Sequence, residues 1–527
     1  MSSFAELPAK ISLGILWLGL IVAYLQLASF EALTYDDPLF LAKHPAANLS
    51  LFNSEFWQTI VSVPTANLWH PLTDLSHQLI FRVSKSVHLH LAFNVVLHGL
   101  SASFLYLFLA KVTERSFFSL ALVLLFAWHP VTVESVAWIS GRKDLLCSLI
   151  LLSALRHYHH RATSNQSVIT ARLLLAATAA CLCKPIAFTL PFLLLASDYW
   201  PLRRIEKPFK LITSKWPLWL ISSLSLFITI TVQARGTQAM EDARPLTIRL
   251  TEALWALQHG LTSCLFPKKL HLAYTNPDEL SLLTIAGWSL SGLLLASILI
   301  WKKKTFPSLP TGAFWFLITI APTLGLMRVG NHLAADRYSY LPLLGLVIGL
   351  AGLSPFLNKP RSKAVLASLF FIASLLLFTT TRQISHWKNQ KSLFTHVLRH
   401  DPKNLIAHIE LAQIARKSGH EARMQHHLDE ALQIAPNSAS AHIILAHLAF
   451  EASEFSQSYH HYEIASRLRS RETWLQERLA ASAYRSGDLA KTRSHMEAAF
   501  QLARPTDHDL DLEKKWHLLF PEAPLPN

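Results

Sequence analysis

The sequence predicts an all-α protein in two parts, a polytopic membrane domain followed by a domain of helical repeats. About half of the 527 residues are apolar and only 16% are charged. Between Lys10 and Glu31 lie twenty uncharged residues, enough at ~1.5 Å per residue to cross a ~30 Å hydrocarbon core. Similar runs recur up to Thr381, whereas from His386 onward charges are frequent and no segment is apolar enough to span a bilayer.

The apolar runs define eleven predicted spans, some of them short enough to need tilting or flanking residues to cross. The first run is longer than the ~7–15 residues of a signal-peptide core and no small-x-small site follows it. We therefore expect a retained signal-anchor helix there. The spans are predicted at 11–30, 89–110, 117–128, 144–157, 169–183, 186–200, 216–233, 280–301, 311–327, 338–356 and 364–381.

The positive charges indicate the orientation of the spans. They cluster in three short loops, as the positive-inside rule describes, so the net charge of +14 reflects topology and not a nucleic-acid partner. A further apolar stretch, 251–266, is interpreted as interfacial, because a span there would move one basic loop outside. This arrangement predicts an inner N-terminus and an outer C-terminal domain. The three loops contain Arg203, Arg204, Lys207, Lys210 and Lys215; Lys302, Lys303 and Lys304; and Lys359, Arg361 and Lys363.

The C-terminal part repeats with a period of 34 residues, with small residues where two helices of a repeat would cross. Ala407, Ala412 and Ala431 recur as Ala441, Ala446 and Ala465. A 34-residue period with this pattern is the tetratricopeptide signature. We therefore predict a membrane domain over 1–383, about three and a half repeats over 384–506, and a tail over 507–527.

An acidic pair, Asp36-Asp37, directly follows the first span, and the predicted topology puts it on the outer face. Carboxylates at such a position are suited to hold a cation or to remove a proton from an attacking hydroxyl. Other polar motifs recur along the membrane domain, and all but the one that begins at Asp198 fall on or near the same predicted face. They are Trp69-His70-Pro71-Leu72-Thr73 with Leu75-Ser76-His77, His129-Pro130-Val131 with Glu134-Ser135-Val136-Ala137-Trp138, Arg142-Lys143-Asp144, Lys184-Pro185, Asp198-Tyr199-Trp200-Pro201-Leu202, and Ala335-Asp336-Arg337-Tyr338 through Pro342.

In this order, and together with the repeats, these motifs resemble the transmembrane and tetratricopeptide-repeat (TMTC-type) proteins, especially their bacterial relatives. The resemblance implies a GT-C glycosyltransferase, similar to the protein O-mannosyltransferases, that moves a sugar from a polyprenyl-phosphate carrier to an acceptor. It implies a catalytic base at Asp36 or Asp37, with a slight preference for Asp36. The expected substrate region comprises His70, His129, Glu134, Asn331, His332 and Tyr338.

The residues themselves suggest a division of labour. Transfer from a sugar phosphate needs a base for the acceptor hydroxyl and cations for the departing phosphate. The candidate phosphate ligands are Arg337, Arg142, Lys143 and Lys184. The two arginines are favoured over the lysines because a guanidinium binds phosphate bidentately.

Simpler interpretations compete with each of these roles. The acidic pair could solvate a loop, Arg337 could pair locally with Asp336, and Arg142-Lys143-Asp144 could lie in the interface with snorkelling side chains. The histidines lack metal-site spacing, so no protein-bound metal is expected, although a divalent metal stays open. The repeat histidines His426, His427, His460 and His461 are interpreted as exposed polar faces, and the four cysteines as small buried hydrophobic residues.

The sequence therefore predicts a multi-pass glycosyltransferase with no cofactor. Its partners are membrane lipid, a polyprenyl-phosphate-linked sugar and an acceptor protein recruited by the repeats, with no nucleic acid. The expected location is the plasma (inner) membrane with the repeats outside, or the endoplasmic reticulum membrane in a eukaryote. A non-catalytic membrane scaffold is the alternative, and a lipid-linked sugar flippase ranks last because the spans carry few charges at mid-depth.

Overall fold

The computed structural model describes residues 8–33, 35–65, 68–204, 206–236, 245–275, 281–325, 333–358, 362–470, 472–503 and 509–521. These residues form α-helices and short 3₁₀ turns, with one isolated β-bridge between Thr65 and Leu68. The all-α prediction is confirmed. The chain divides into two compact units, Met1–His396 and Val397–Asn527. The predicted boundary between the membrane domain and the repeats, at 383/384, remains a prediction.

The first unit contains seventeen α-helices within its described residues, and an eighteenth crosses the boundary at His396. Their bounds are α1 Ala9–Tyr24, α2 Asp37–Phe40, α3 Ser54–Ser62, α4 Pro71–Val83, α5 Val87–Thr113, α6 Ser116–Ala127, α7 Val133–Ala137, α8 Arg142–Thr163, α9 Ala171–Cys183, α10 Leu190–Tyr199, α11 Pro208–Thr213, α12 Trp216–Gly236, α13 Leu246–Leu265, α14 Leu282–Lys302, α15 Ser308–Ile320, α16 Tyr340–Leu350, α17 Ser362–Ser385 and α18 Gln390–His400.

Five helical stretches among the described residues are long and apolar enough to cross a membrane, or six if the bent pair Ser116–Ala127 and Pro130–Ala137 is one span. The protein is therefore a multi-pass membrane protein. Eleven spans are not reached, because several predicted spans are short helices such as α9 and α10. The five stretches are Ala9–Ser29, Val87–Thr113, Leu282–Lys302, Asp336–Leu357 and Lys363–Ser385.

Small residues allow the helices of the first unit to pack closely. A Cβ atom at Gly312 of α15 would lie 2.4 Å from the carbonyl oxygen of Gly345 in α16, so only glycine permits this approach. The cysteines Cys147, Cys181, Cys183 and Cys264 are all buried and unbridged, which confirms their interpretation as buried small residues.

The second unit contains three consecutive helix pairs and a final helix in its described part. Buried alanines lie where the paired helices touch, for instance Ala412 and Ala431 in the first pair. The turn of each pair has a residue of positive φ at the same register: Gly419, Ser453 and Gly487. These pairs agree with a repeat architecture of the predicted period. The first pair is α19 Leu405–Lys417 and α20 Glu421–Ile434, the second is α21 Ala439–Glu451 and α22 Phe455–Leu468, the third is α23 Thr473–Arg485 and α24 Leu489–Leu502, and α25 Asp509–Leu519 follows.

Candidate active site

The two adjacent acids lie in different surroundings. Asp37, the first residue of α2, is 2% exposed, and its Oδ2 accepts the backbone N–H of Leu33 at 2.8 Å. Burial raises the pKa of Asp37 to about 7, although the Leu33 N–H, the Trp138 indole and the Ser140 N–H favour its ionised form. Asp37 therefore stabilises the turn that precedes α2.

Asp36 is only half-buried, and it occupies the N-cap position of α2 without a capping hydrogen bond from its side chain. Burial raises the pKa of Asp36, while the positive charges of Lys143 and Arg337 act to lower it. The structure thus brings the first acid, and not the second, into the field of two of the predicted cations. A carboxylate with a raised pKa and partial exposure is suited to general-base work near neutral pH.

Lys143 lies in the first turn of α8. Its Nζ donates to Ser140 Oγ at 3.1 Å and lies 5.6 Å from the centre of the Phe40 ring. Within the described residues, no carboxylate is at ion-pair distance from Lys143. An ammonium group without a partner carboxylate keeps its capacity to bind an anion.

Arg337 is held by Glu134, a residue 203 positions earlier in the chain. The guanidinium forms an ion pair with Glu134 Oε1, and the Arg337 backbone N–H donates to Glu134 Oε2 at 3.1 Å. The guanidinium also lies over the rings of Trp138 and Tyr338, at 5.2 Å and 5.1 Å from their centres. Arg337 is therefore fixed in orientation by contacts on several sides.

The local Asp336–Arg337 ion pair is wrong as an interpretation. The Tyr274 hydroxyl donates to Asp336 Oδ1 at 2.7 Å, and His259 Nε2 lies 3.9 Å from the same oxygen. The neighbouring acid and base thus have different partners, and each anchors the 3₁₀ turn Asp336–Ser339 to a different part of the unit.

Lys184 pairs with Asp144 across 40 positions of the chain, although no acid lies near it in sequence. Its Nζ is also 6.0 Å from the centre of the Tyr338 ring. Lys184 and Asp144 act on the charge of Lys143, as do Arg337 and Asp36. Two ion pairs and the electrostatic influences on Asp36 and Lys143 define an acid–cation cluster, which consists of Asp36, Glu134, Lys143, Asp144, Lys184 and Arg337.

Arg142 differs from the other predicted cations because its side chain is fully buried. Its Nε donates to Asn94 Oδ1 at 3.0 Å, and its Nη2 donates to the His90 carbonyl at 3.1 Å. A third bond reaches the Ser76 carbonyl at 3.3 Å. The snorkelling interpretation is wrong for this residue, and its role as a phosphate ligand stays a prediction that these bonds disfavour.

The predicted substrate histidines have structural partners. His70 is buried beside Asp74, with 3.1 Å between its Nδ1 and Asp74 Oδ2. His129 Nε2 lies 3.0 Å from the Cys264 carbonyl, and its Nδ1 accepts the Val131 N–H at 3.2 Å. Asn331 and His332 lie outside the described residues. A substrate role for these four residues remains a prediction.

Glu134, by contrast, belongs to the cluster, and the Tyr338 ring contacts two of its cations. Among the described residues there is no group of three or more His, Cys, Asp or Glu side chains arranged to hold a metal ion. The cluster has instead one half-buried carboxylate and cations at the starts of helices or turns. Such an arrangement is chemically able to take a proton on one side and to stabilise a developing negative charge on the other.

The sequence marked Trp138 only as the last residue of a motif, with no role of its own, and it did not mark Tyr274 at all. Trp138 contacts the rings of Tyr35 and Trp387, with centroid distances of 6.4 Å and 6.0 Å, besides lying under Arg337. Its place in the motif that begins at Glu134 was a usable signal. Tyr274 lies in a segment without regular secondary structure, and nothing in the sequence linked it to Asp336.

Comparison with known proteins gives a consistent result over most of the chain. No protein-family model matches it. The chain is 24% identical to Protein O-mannosyl-transferase TMTC3 of Mus musculus over 415 residues and of Homo sapiens over 408 residues, in both cases 68% of this chain. It is also 24% identical over 407 residues, 73% of this chain, to Protein O-mannosyl-transferase F38B6.6 of Caenorhabditis elegans.

The chain is a distant homologue of the TMTC protein O-mannosyl-transferases. This confirms the resemblance drawn from the motifs. The chain spans about half the length of the curated relatives it matches, 44% of each TMTC3 protein and 57% of the nematode protein. The similarity is therefore limited to the part of each relative that this chain covers.

Proposed function

We propose that the protein is a GT-C type membrane glycosyltransferase. It would transfer a sugar from a polyprenyl-phosphate donor to a hydroxyl of a protein or other acceptor on the extracytoplasmic face. The observation that carries the proposal is the position of Asp36, half-buried and under the influence of Lys143 and Arg337. Distant homology to proteins named O-mannosyl-transferases supports it, and makes a mannosyl donor the first to test.

In the proposed reaction Asp36 accepts the proton of the acceptor hydroxyl as its oxygen attacks the anomeric carbon. The bond between that carbon and the phosphate oxygen breaks, and its electrons leave with the polyprenyl phosphate. Lys143 stabilises the departing phosphate because its ammonium group has no carboxylate at ion-pair distance among the described residues. Arg337, already paired with Glu134, contributes field and orientation. Lys143 thus replaces the arginines as the favoured phosphate ligand.

Asp37 has a supporting role in this scheme. The residue is 2% exposed and its Oδ2 is bonded to the Leu33 N–H, so an acceptor hydroxyl reaches it less easily than the half-buried Asp36. A residue that holds the turn before α2 determines where Asp36 points. The helix pairs of the second unit would act as tetratricopeptide repeats and recruit the acceptor.

The test is transfer of radiolabelled mannose from a polyprenyl-phosphate donor to envelope proteins by the purified full chain in proteoliposomes. Wild-type protein is compared with Asp36→Asn and with Asp37→Asn, each checked for correct insertion. Transfer lost in Asp36→Asn and largely kept in Asp37→Asn supports the proposal. Equal transfer by wild type and Asp36→Asn contradicts the catalytic role, and absence of transfer from any polyprenyl-phosphate sugar favours the scaffold alternative.

A further inference from the structure

Histidines form a repeated contact inside the first two helix pairs. In the first pair, His408 Nδ1 of α19 lies 3.2 Å from His427 Nδ1 of α20. In the second pair, His442 Nδ1 lies 3.1 Å from His461 Nδ1. The two contacts are 34 residues apart in register. His408 and His442 are buried, and His427 and His461 are half-buried, so their interpretation as exposed polar faces is wrong for the second histidine of each His-His dipeptide.

The groups around each contact determine which ring nitrogen carries the hydrogen. His408 Nε2 lies 3.0 Å from the Pro402 carbonyl, and His442 Nε2 lies 3.0 Å from the Pro436 carbonyl. A carbonyl oxygen only accepts, so each Nε2 carries a hydrogen and each neutral Nδ1 is an acceptor. His427 and His461 must then donate through their own Nδ1–H groups.

A second proton breaks this arrangement. The donor histidine can take a proton on Nε2 and still donate through Nδ1. When the acceptor histidine also takes a proton, at Nδ1, two N–H groups face each other at 3.1–3.2 Å. The hydrogen bond is then lost, and two positive charges lie side by side between the helices.

The third helix pair provides a natural comparison. Gln476 replaces the acceptor histidine, and its Oε1 accepts from His495 Nδ1 at 2.9 Å. His495 Nε2 lies 2.8 Å from the Tyr459 hydroxyl, which can also accept. Protonated His495 therefore keeps both hydrogen bonds, because an amide oxygen cannot become a donor.

We propose that the two histidine pairs are acid-sensitive clasps that loosen the first and second helix pairs on mild acidification while the third pair stays closed. Because the inference concerns the repeats alone, it stands whether or not the chain transfers a sugar. Its consequence is a repeat surface whose order depends on the pH of the compartment it faces.

The surrounding charges agree with this direction. Burial lowers the pKa of His427, as do His408 on the facing helix and His426 on its own, against a raising effect of Glu430. Burial likewise lowers the pKa of His461, with His442 and His460 acting in the same sense. Burial also lowers the pKa of His495, but Glu463 raises it and Lys491 lowers it, so a weaker response of the third pair is expected.

The lowered values fix the sign and the pH window. An unfolded histidine gains its proton near pH ~6.5, above the pKa of His427 and of His461 in the folded state. The opened state therefore binds more protons than the closed state as the pH falls below that point. Each extra proton multiplies the opening constant by about ten per pH unit until the folded pair itself titrates.

The experiment is hydrogen–deuterium exchange of the full chain in nanodiscs between pH 7.5 and pH 5.0, corrected for intrinsic exchange and followed by mass spectrometry. Peptides from α19 to α22 should show opening that rises by up to about tenfold per pH unit below pH ~6.5. Peptides from α23 and α24 are the internal reference and should change less. Equal responses in all three helix pairs, or none in the first two, would overturn the proposal.

Three variants separate the clasps from the general effect of histidine content. His408→Gln with His442→Gln copies the third pair and should remove the excess acid response. His426→Gln with His460→Gln removes two neighbouring exposed histidines and should reduce the response only slightly, because burial is the largest cause of the lowered pKa of His427 and of His461. Gln476→His should make the third pair acid-sensitive. A response that survives in the first double variant, or disappears in the second, contradicts the clasp.

The third variant also guards against a folding defect. If the first double variant does not fold at neutral pH, Gln476→His still decides the matter, because it adds a histidine pair to an otherwise unchanged chain. An unaltered third pair in that variant would overturn the proposal.

Discussion

Buried charged side chains lie beside both ends of α8. Their hydrogen bonds and ion pairs are complete at one end of this helix and incomplete at the other. At its end, Asp198 accepts from Lys215 at 2.5 Å and from the Tyr158 hydroxyl at 2.7 Å, and Arg204 lies 3.5 Å away. At its start, Lys143 has only the Ser140 hydroxyl as a hydrogen-bond partner among the described residues. A closed network stabilises a fold, whereas an unneutralised cation next to a half-buried acid retains binding capacity.

This difference separates the basic residues that stabilise the fold from those that retain the capacity to bind an anion. Lys215 belongs to a basic loop that the sequence assigned to the inner side, yet its side chain is 0% exposed and it neutralises Asp198. The motif around Asp198 is therefore explained by structure. In the acid–cation cluster at the other end, the contacts within the cluster leave Lys143 without an ion-pair partner among the described residues.

The largest effect should come from Asp36. Replacing the base by asparagine is expected to lower the transfer rate by about 10²- to 10⁴-fold, with an unchanged unfolding midpoint. Asp37→Asn should retain most activity, because an amide oxygen can still accept the Leu33 N–H. Wild-type transfer should fall on the acid side at a pH above the ordinary range for aspartate, since burial raises the pKa of Asp36 and only its ionised form accepts a proton. A profile flat down to pH 4 would contradict this.

At the closed end of α8, Asp198→Asn should reduce stability and not chemistry. It leaves the Lys215 ammonium buried without a charged partner, at a cost of about 3–5 kcal/mol. Thermal unfolding monitored by tryptophan fluorescence should show a clear fall in the midpoint, with transfer per folded molecule preserved. Glu206→Gln is the control, because its pairs with Arg204 and Lys210 are partly exposed to solvent and such pairs contribute little to stability.

Lys143→Gln should weaken the handling of the donor phosphate. Losing one hydrogen bond to a charged group costs about 1.5–3 kcal/mol, which corresponds to roughly 10- to 100-fold in kcat/KM for the donor. Lys184→Gln is the matched variant, since Lys184 is already paired with Asp144 and its loss should appear mainly as reduced stability. Equal kinetic losses in the two variants would remove the distinction drawn between them.

The smallest effect is expected at a buried histidine beneath α2. Both ring nitrogens of His77 are buried without a hydrogen-bond partner among the described residues, and burial lowers the pKa of His77, so the ring is neutral. His77→Leu removes two unsatisfied groups and should change the free energy of unfolding by less than ~1 kcal/mol, or increase it. His90→Leu is the contrast: His90 Nδ1 lies 3.1 Å from Arg142 Nη2, and its loss should destabilise the protein.

Local patterns made much of the fold predictable. Apolar run length indicated a multi-pass helical protein, and the 34-residue period indicated the helix pairs, whose turns recur at Gly419, Ser453 and Gly487. The number of spans was less predictable. Helices such as α9 and α10 are too short to qualify by length, and composition alone does not show where a helix ends.

The candidate site, like the fold, was only partly predictable from the sequence. The sequence identified Asp36, Lys143 and Arg337 as chemically suitable, because acids and cations beside apolar runs are costly unless used. It ranked the arginines above the lysines on intrinsic phosphate geometry. In the structure Arg142, Arg337 and Lys184 already have protein partners, which favours Lys143, and phosphate binding by any of the four remains a prediction.

By itself the sequence determined the all-α class, the membrane character, the repeat period and the distant relationship to the TMTC proteins, all of which depend on composition, period or linear motif order. Only the tertiary structure decided which of the adjacent acids faces the cations, that Glu134 holds Arg337 across 203 positions, and that the repeat histidines meet in pairs. The physical reason is that hydrogen bonds and ion pairs depend on distances of about 3 Å, and residues far apart in sequence reach such distances only when the helices pack.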